Sequence, residues 1–213
     1  MKSRPAVIVL AAGKGERFLG VAHKLGQPLG DTTVLGMTLR HAIASQLPVV
    51  VVTTEGLADI ARRSVAARDV IVLPDGRTDA GTASGASAAL LGMGHSIASG
   101  VSARANASGW LILPGDMPLV RPATLVAVAA GLEHHPVVCA HHKGRRGHPV
   151  GFSSELYSEL VTLSGDEGAR RLVARYPALG LELDDPGVLV DVDTEADLAS
   201  VRQALGEAPL EIQ

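Results

Sequence analysis

The residues able to do chemistry begin near the amino terminus. In VIVLAAGKGERFLGVAHK, residues 7–24, an apolar run ends in a turn carrying Gly13 and Gly15, and Lys14, Arg17 and Lys24 lie on it or close behind. Glycines let a backbone approach a ligand and present its N–H groups. Cations gathered at the same place select a polyanion. A glycine-rich loop at the carboxyl end of a first strand is where open α/β sheets bind ligands. The combination predicts a triphosphate site. A tight strand-to-helix turn would explain the glycines equally well, and it is Arg17 and Lys24 that favour the ligand. Two familiar phosphate motifs are excluded. Gly15 and Gly20 have P-loop spacing, but Val21 and Ala22 stand where that motif needs Lys and then Ser or Thr. Phe18 stands where a dinucleotide-binding turn needs its third glycine.

Further candidates lie downstream. Asp116, in LILPGDMPLV, follows an apolar run directly. A carboxylate at the end of a sheet strand suits Mg²⁺, which takes one or two carboxylates and otherwise coordinates substrate phosphates. A turn aspartate bonding its own backbone is the alternative. VDVDTEADL offers Asp191 and Asp193, two residues apart and so on one side of a strand. One of them can complete a magnesium site with Asp116; Asp191 is preferred, because Asp193 leads into a helix capped by Thr194. In DAGTASGAS, residues 79–87, Ser84 precedes a helix and suits a base or phosphate, or a plain cap. His148 lies in Gly-His-Pro behind Arg145 and Arg146. Arginine suits phosphate, so this stretch is a candidate acceptor site, with a solvated loop as the alternative. The adjacent pairs His134-His135 and His141-His142 lack a regular zinc spacing. Cys139 is the only cysteine, which excludes an intramolecular disulfide, and its apolar run predicts a buried, inert thiol.

These residues need elements to hold them. Apolar, β-branched runs at 7–10, 49–52, 70–73, 111–113 and 137–140 are nearly continuous, as in strands covered on both faces. Helical spacing separates them: Leu35, Leu39, Ala42, Ile43 and Leu47 on one face, Leu57, Ile60, Ala61 and Val65 on another. Residues 84–97 are alanine-rich, and Pro122 opens a helix with Leu125, Val126, Ala129 and Leu132. Alternation of this kind predicts a three-layer α/β fold with a mostly parallel sheet. Residues 98–109 read as a loop, and 141–152 as two short extended pieces. Helices are expected over 153–163 and 167–176, and a strand over 188–192. Thr194 caps a last helix carrying Leu198, Val201 and Leu205, and the tail from 206 on reads as loose.

The 213 residues suit one domain, with a nucleotide half at about 1–120 and an acceptor half at about 121–205. Net charge is −3 and aromatics are 2%, which disfavours nucleic acid as partner. The apolar run after the charged amino terminus is short and broken by Gly-Lys-Gly, unlike a signal peptide, and no stretch reads as a membrane span. A cytoplasmic protein is expected.

Taken in order, LAAGKGERF with Lys24, PGDMP, GRRGHPVGF, GDEGAR and VDVDTEADL resemble the MobA-like nucleotidyltransferases, nearest their molybdenum cofactor cytidylyltransferase branch. The resemblance runs from about Val7 to Leu205. It implies a Rossmann-like nucleotide-diphospho-sugar transferase fold. It implies that Leu10, Ala11, Ala12, Gly13, Lys14 and Gly15, with Arg17, hold the nucleotide. Lys24 would contact phosphate, Asp75 and Ser84 would complete the nucleotide site, and Asp116 would bind Mg²⁺ with Asp191. Catalysis would rest on Arg17, Lys24 and Asp116, and acceptor binding on Arg146 and His148. Guanylyl-transferring relatives usually read LAGG; Ala11-Ala12-Gly13 leans toward CTP. The implied acceptor is a molybdopterin-type phosphate, and a molybdoenzyme apoprotein is a further partner. In this chain Ser84 is followed by Gly85, where the family usually reads G-x-x-S-L, and Asp75 stands where relatives often have Asn. Three rivals remain open: transfer from GTP, a nicotinamide-dependent reductase such as the family's nicotine blue oxidoreductase, and a nucleotide-binding chaperone without catalysis.

Overall fold

The computed structural model describes residues 3–13, 23–74 and 92–206. The expectations for Lys14, Gly15, Arg17, Asp75 and Ser84 therefore lie outside the described residues, as do residues 84–91 of one expected helix and the tail beyond 206.

In chain order the strands are β1 (Ala6–Ala11), β2 (Pro28–Leu29), β3 (Thr32–Thr33), β4 (Val49–Thr54), β5 (Val70–Leu73), β6 (Gly109–Pro114), β7 (Val137–His142), β8 (Arg145–Ser153) and β9 (Ala178–Glu182). Valine- and isoleucine-rich runs form β1, β4 and β5 because branched side chains pack well on a pleated surface. The helices are α1 (Val34–Ala44), α2 (Glu55–Ser64), α3 (Met93–Ala103), α4 (Pro122–Gly131), α5 (Tyr157–Leu160), α6 (Arg170–Arg175) and α7 (Glu195–Ala204). Among the described residues, seven strands form one sheet in the order β5-β4-β1-β6-β8-β7-β9, and β2 and β3 form a small hairpin. β8 runs antiparallel to both neighbours; the other pairings in the large sheet are parallel.

Alternate residues of each strand face opposite layers. Val7, Val9, Val49, Val51, Leu111 and Leu113 pack under α1, α2, α4 and α7. Ala6, Ile8, Val50, Val52, Trp110 and Phe152 pack under α3, α5 and α6. The sheet is thus buried on both sides, as the continuous apolar runs require. From β1 the chain passes to β4 on one side and later to β6 on the other, so the strand order reverses between β1 and β6. The crevice at the carboxyl ends of two such strands is the usual ligand site of open α/β sheets.

Several expectations are corrected. The loop expected over 98–109 is confined to residues 104–108: α3 continues to Ala103, with Ile97 and Val101 buried. Gly100 weakens helix propensity, but packing overrides it, because a Cβ there would lie 2.3 Å from Ile8 Cγ2 and keep the helix off β1. The strand expected over 188–192 does not form. Pro186–Leu189 makes a 3-10 turn, capped by the Asp185 carboxylate accepting from Gly187 N at 3.0 Å. Val188 and Val192 are buried without joining the sheet, so the apolar pattern reports core contact and not strand pairing. The two extended pieces within 141–152 belong to a long β7–β8 hairpin, turned by Lys143 and Gly144 with positive φ angles of 51° and 73°. The helices expected over 153–163 and 167–176 shrink to a 3-10 turn (Ser154–Leu156) with α5, and to α6. Edge strand β9 was not anticipated, although Leu179 and Leu181 alternate with more exposed neighbours.

Candidate active site

The carboxyl ends of β1 and β6 lie side by side, with Leu10 opposite Pro114 in the register. Gly115 N donates to Leu10 O at 2.8 Å, which stitches the start of the PGD turn to the end of β1. Thr38, buried on α1, donates its hydroxyl to Gly115 O at 2.9 Å and fixes the turn from below. Asp116 follows at once. Its own carbonyl accepts from Val192 N at 2.9 Å, which brings in the segment after the 3-10 turn and sets Asp191 and Asp193 at the same crevice. The opening turn is tied in from its far side: His23 Nε2 donates to Gly13 O at 2.8 Å, and the 3-10 turn Lys24–Gly26 follows, anchored by buried Leu25.

Lys24 joins these pieces. Its Nζ lies 2.7 Å from Asp116 Oδ2 and 2.6 Å from Asp193 Oδ1, and the three side chains are only 12%, 17% and 18% exposed. Burial by itself lowers the pKa of the ammonium. The attraction and hydrogen bonds of Asp116 and Asp193 outweigh burial and hold the pKa above the ordinary 10.5. Asp191 is exposed, yet lost hydration first, and then repulsion from Asp193 and Asp116, raise its carboxyl above 3.8, with Lys24 opposing. His148, on β8, is held below its ordinary 6.5 mainly by burial; Asp116 and the Ile112 backbone oppose the shift, and Arg146 adds to it. The imidazole is therefore neutral near pH 7. Its Nδ1 is buried with no hydrogen-bond partner among the described residues, and the same holds for Asp116 Oδ1.

This carboxylate oxygen tests whether a divalent ion fits. Among the described residues no group of three or more His, Cys, Asp or Glu side chains is gathered to hold a metal. Mg²⁺ bound with a nucleotide needs only one or two carboxylates. A buried oxygen on Asp116 with no partner among the described residues, and Asp193 at the same ammonium, are a donor set of that kind. A hollow of about 330 Å³ lined by Ile43, Leu47, Val49, Ser64, Val65 and Asp69 lies at the opposite end of the strands, where β4 begins, and bears no part of this cluster.

Residues 7–180, from β1 into β9, match the MobA-like NTP transferase domain. This chain belongs to that family. It is a nucleotidyltransferase, as the motif order implied. The transferase is 32% identical over 210 residues to the purine catabolism protein PucB of Bacillus subtilis (strain 168), covering 93% of this chain and 96% of PucB. It also resembles the bifunctional protein GlmU of Ralstonia pickettii (strain 12J), at 31% identity over 68% of this chain, but spans only 29% of GlmU. Among solved structures, Rv0371c from Mycobacterium tuberculosis H37Rv superposes with a TM-score of 0.76 at 28% identity, over 95% of this chain and 99% of that one. A second structure of Rv0371c is a complex with manganese, with a TM-score of 0.73 at 27% identity, over 95% of this chain and 100% of that one.

Of the residues singled out in the sequence, the transferase brings Leu10, Ala11, Ala12 and Gly13 to the same crevice as Lys24, Asp116 and His148. Arg146 is exposed on β8, two residues before His148. The sequence ranked Asp191 above Asp193 as partner of Asp116; in the structure Asp193 shares the Lys24 ammonium with Asp116, and Asp191 is exposed beside them. Cys139 is buried as expected, and burial raises its thiol above 9.0 against the pull of Arg146. His142 Nδ1 bonds Leu183 O at 2.9 Å, and the His141 ring packs on Gly180. No described helix is long and apolar enough to cross a membrane. Two positioning residues were missed. Asp197 accepts from Asp193 N at 3.2 Å and Thr194 N at 2.7 Å, and the Thr-x-x-Asp capping pattern was legible as its signal. For Thr38 the sequence carries no signal, because its partner is a carbonyl in a turn 77 residues away.

Proposed function

We propose that this transferase moves a cytidylyl group from CTP to the phosphate of a molybdopterin-type acceptor and releases pyrophosphate. The observation that carries the reading is the buried Asp116 oxygen, without a partner among the described residues, beside the Lys24 ammonium at the β1–β6 switch point. The choice of CTP rests on Ala11-Ala12-Gly13, and the acceptor rests on the family resemblance.

The reaction is one in-line displacement. An oxygen of the acceptor phosphate bonds to the α-phosphorus, the bond from that phosphorus to the bridging oxygen breaks, and pyrophosphate departs with the electron pair. Such transfer needs positioning and charge neutralisation and no protein nucleophile. Asp116 and Asp193 would hold Mg²⁺, which when bound offsets phosphate charge and orients the reacting groups. Backbone N–H groups of the turn after Leu10 receive the triphosphate, with Arg17. Lys24 turns its ammonium to the phosphates. The neutral His148 ring presents a hydrogen-bonding nitrogen toward the acceptor, and Arg146 takes the acceptor phosphate.

Calorimetric titration with CTP, GTP and NADPH, each with Mg²⁺, tests the nucleotide. Binding of CTP, with pyrophosphate release once the pterin phosphate is added, is expected. Tight binding of GTP alone would overturn the cytidylyl assignment, and CTP binding without pyrophosphate release would leave a carrier in place of an enzyme.

A further inference from the structure

The two carboxylates suited to a divalent ion are already occupied by the protein's own cation. Lys24 Nζ sits between Asp116 Oδ2 and Asp193 Oδ1 at 2.7 Å and 2.6 Å, in a niche where all three side chains are more than four-fifths shielded. Charges so shielded interact far more strongly than the same charges in water. The ammonium and a divalent ion cannot both hold this pair at such distances, because their mutual repulsion would act in the same shielded space.

The backbone of Lys24 is anchored, and only the ammonium at the end of its stem joins the carboxylates. The peptide is held by the His23–Gly13 bond and by Leu25, buried in the core, whereas the ammonium rides on a flexible four-carbon stem. The bond from His23 ends on Gly13, in the very turn that receives the triphosphate under the reading above. A polyanion arriving at that turn is a substrate group able to draw the ammonium off the carboxylates.

We infer that Lys24 acts as a resident counter-ion that closes the Asp116–Asp193 pair, so that the divalent ion enters with the nucleotide and not before it. The inference rests on the proposed nucleotidyl-transfer reading and adds an order of loading to it. The lysine thereby guards two carboxylates that would otherwise repel each other, and it releases them only when phosphate offers the ammonium another partner.

Mn²⁺ binding, followed by the loss of the free-ion paramagnetic resonance signal for protein alone and by water-proton relaxation enhancement over Mn²⁺·CTP when nucleotide is present, tests this without turnover. Wild-type protein should bind Mn²⁺ weakly alone and more tightly when CTP is present. Lys24→Met, which keeps the stem and removes the charge, should bind Mn²⁺ without nucleotide about tenfold tighter or more, and Lys24→Arg should stay weak. Adding Asp193→Asn to Lys24→Met should abolish the gain. In EDTA the Lys24→Met protein should melt below wild type, and Mn²⁺ should raise its melting temperature more than that of wild type. If Lys24→Met does not fold, Lys24→Gln, neutral and still able to donate a hydrogen bond to each carboxylate, takes its place. Unchanged or weaker Mn²⁺ binding in the neutral variant would overturn the inference while leaving the transfer reading intact. Wild-type protein that binds no Mn²⁺ even with CTP would instead remove the reading on which the inference rests.

Discussion

Asp116 and His148 show how little a residue's type says until its surroundings are known. Asp116 has one carboxylate oxygen committed to Lys24 and the other buried without a partner among the described residues. Replacing it with asparagine keeps size and polarity but removes the charge. Asp116→Asn should lose transfer activity by roughly a hundredfold or more while its circular dichroism and melting curve stay near wild type, and near-normal turnover would reject the metal role. His148 makes a separate prediction about pH. Its folded pKa lies below 6.5, so the unfolded chain takes up this proton first as pH falls. The histidine's effect is therefore absent well above 6.5, and stability is lost as pH falls from there toward the folded value. Urea unfolding of metal-free protein should show a slope from this single site of up to about 1.4 kcal/mol per pH unit in that window. His148→Gln should remove that part of the slope, and an unchanged profile would show that the ring already ionises freely.

At the scale of elements, the decisive piece is the segment from Asp185 to Thr194. It contributes Asp193, yet it belongs to no strand. The buried Asp185 carboxylate accepts from Thr124 Oγ1 at 2.5 Å and Arg121 N at 2.9 Å, which pins the segment to the start of α4. At its other end the Thr194–Asp197 capping box starts α7 and holds the Asp193 backbone. Between the two, β8 comes so close that a Cβ on Gly147 would lie 1.9 Å from Val188 O. Backbone cannot yield there without moving the turn. Gly147→Ala should therefore cost about 1–3 kcal/mol in urea unfolding, as overpacking does. It should also raise the Mg²⁺·CTP concentration needed for half-maximal rate, because Asp193 moves with the turn. Wild-type values for both would show that the close approach is dispensable.

At the scale of the molecule, one sheet runs through what the sequence divides into a nucleotide half and an acceptor half. β8 is bonded to β6 on one side and β7 on the other, so neither half can lose its strands alone. The protein should unfold in one transition, with Trp110 fluorescence and far-ultraviolet circular dichroism following the same urea curve. Trp110 suits this test, since it is fully buried on β6 at the middle of the sheet. Two separated transitions would mean that the halves are independent. Saturation with Mg²⁺·CTP at a hundred times its dissociation constant should add about 2.7 kcal/mol to that stability.

What the sequence determined by itself is local. Continuous apolar runs announced β1, β4 and β6, because a strand covered on both faces needs apolar residues at every position. Thr194 announced the last helix, because a cap is a contact between near neighbours. The chemical types at the site were legible for the same reason, as Gly13, Lys24, Asp116 and His148 are each marked by short motifs. Tertiary structure decided the rest. Whether VLVDV pairs as a strand or packs as an irregular segment depends on which strand edges are already taken, and here β8 and β7 take them. Whether Asp191 or Asp193 faces Asp116 depends on that same choice, as does the ammonium both carboxylates share across 92 and 169 residues of chain. Side-chain periodicity records how deeply a residue is buried, but it carries no information about which distant backbone lies against it.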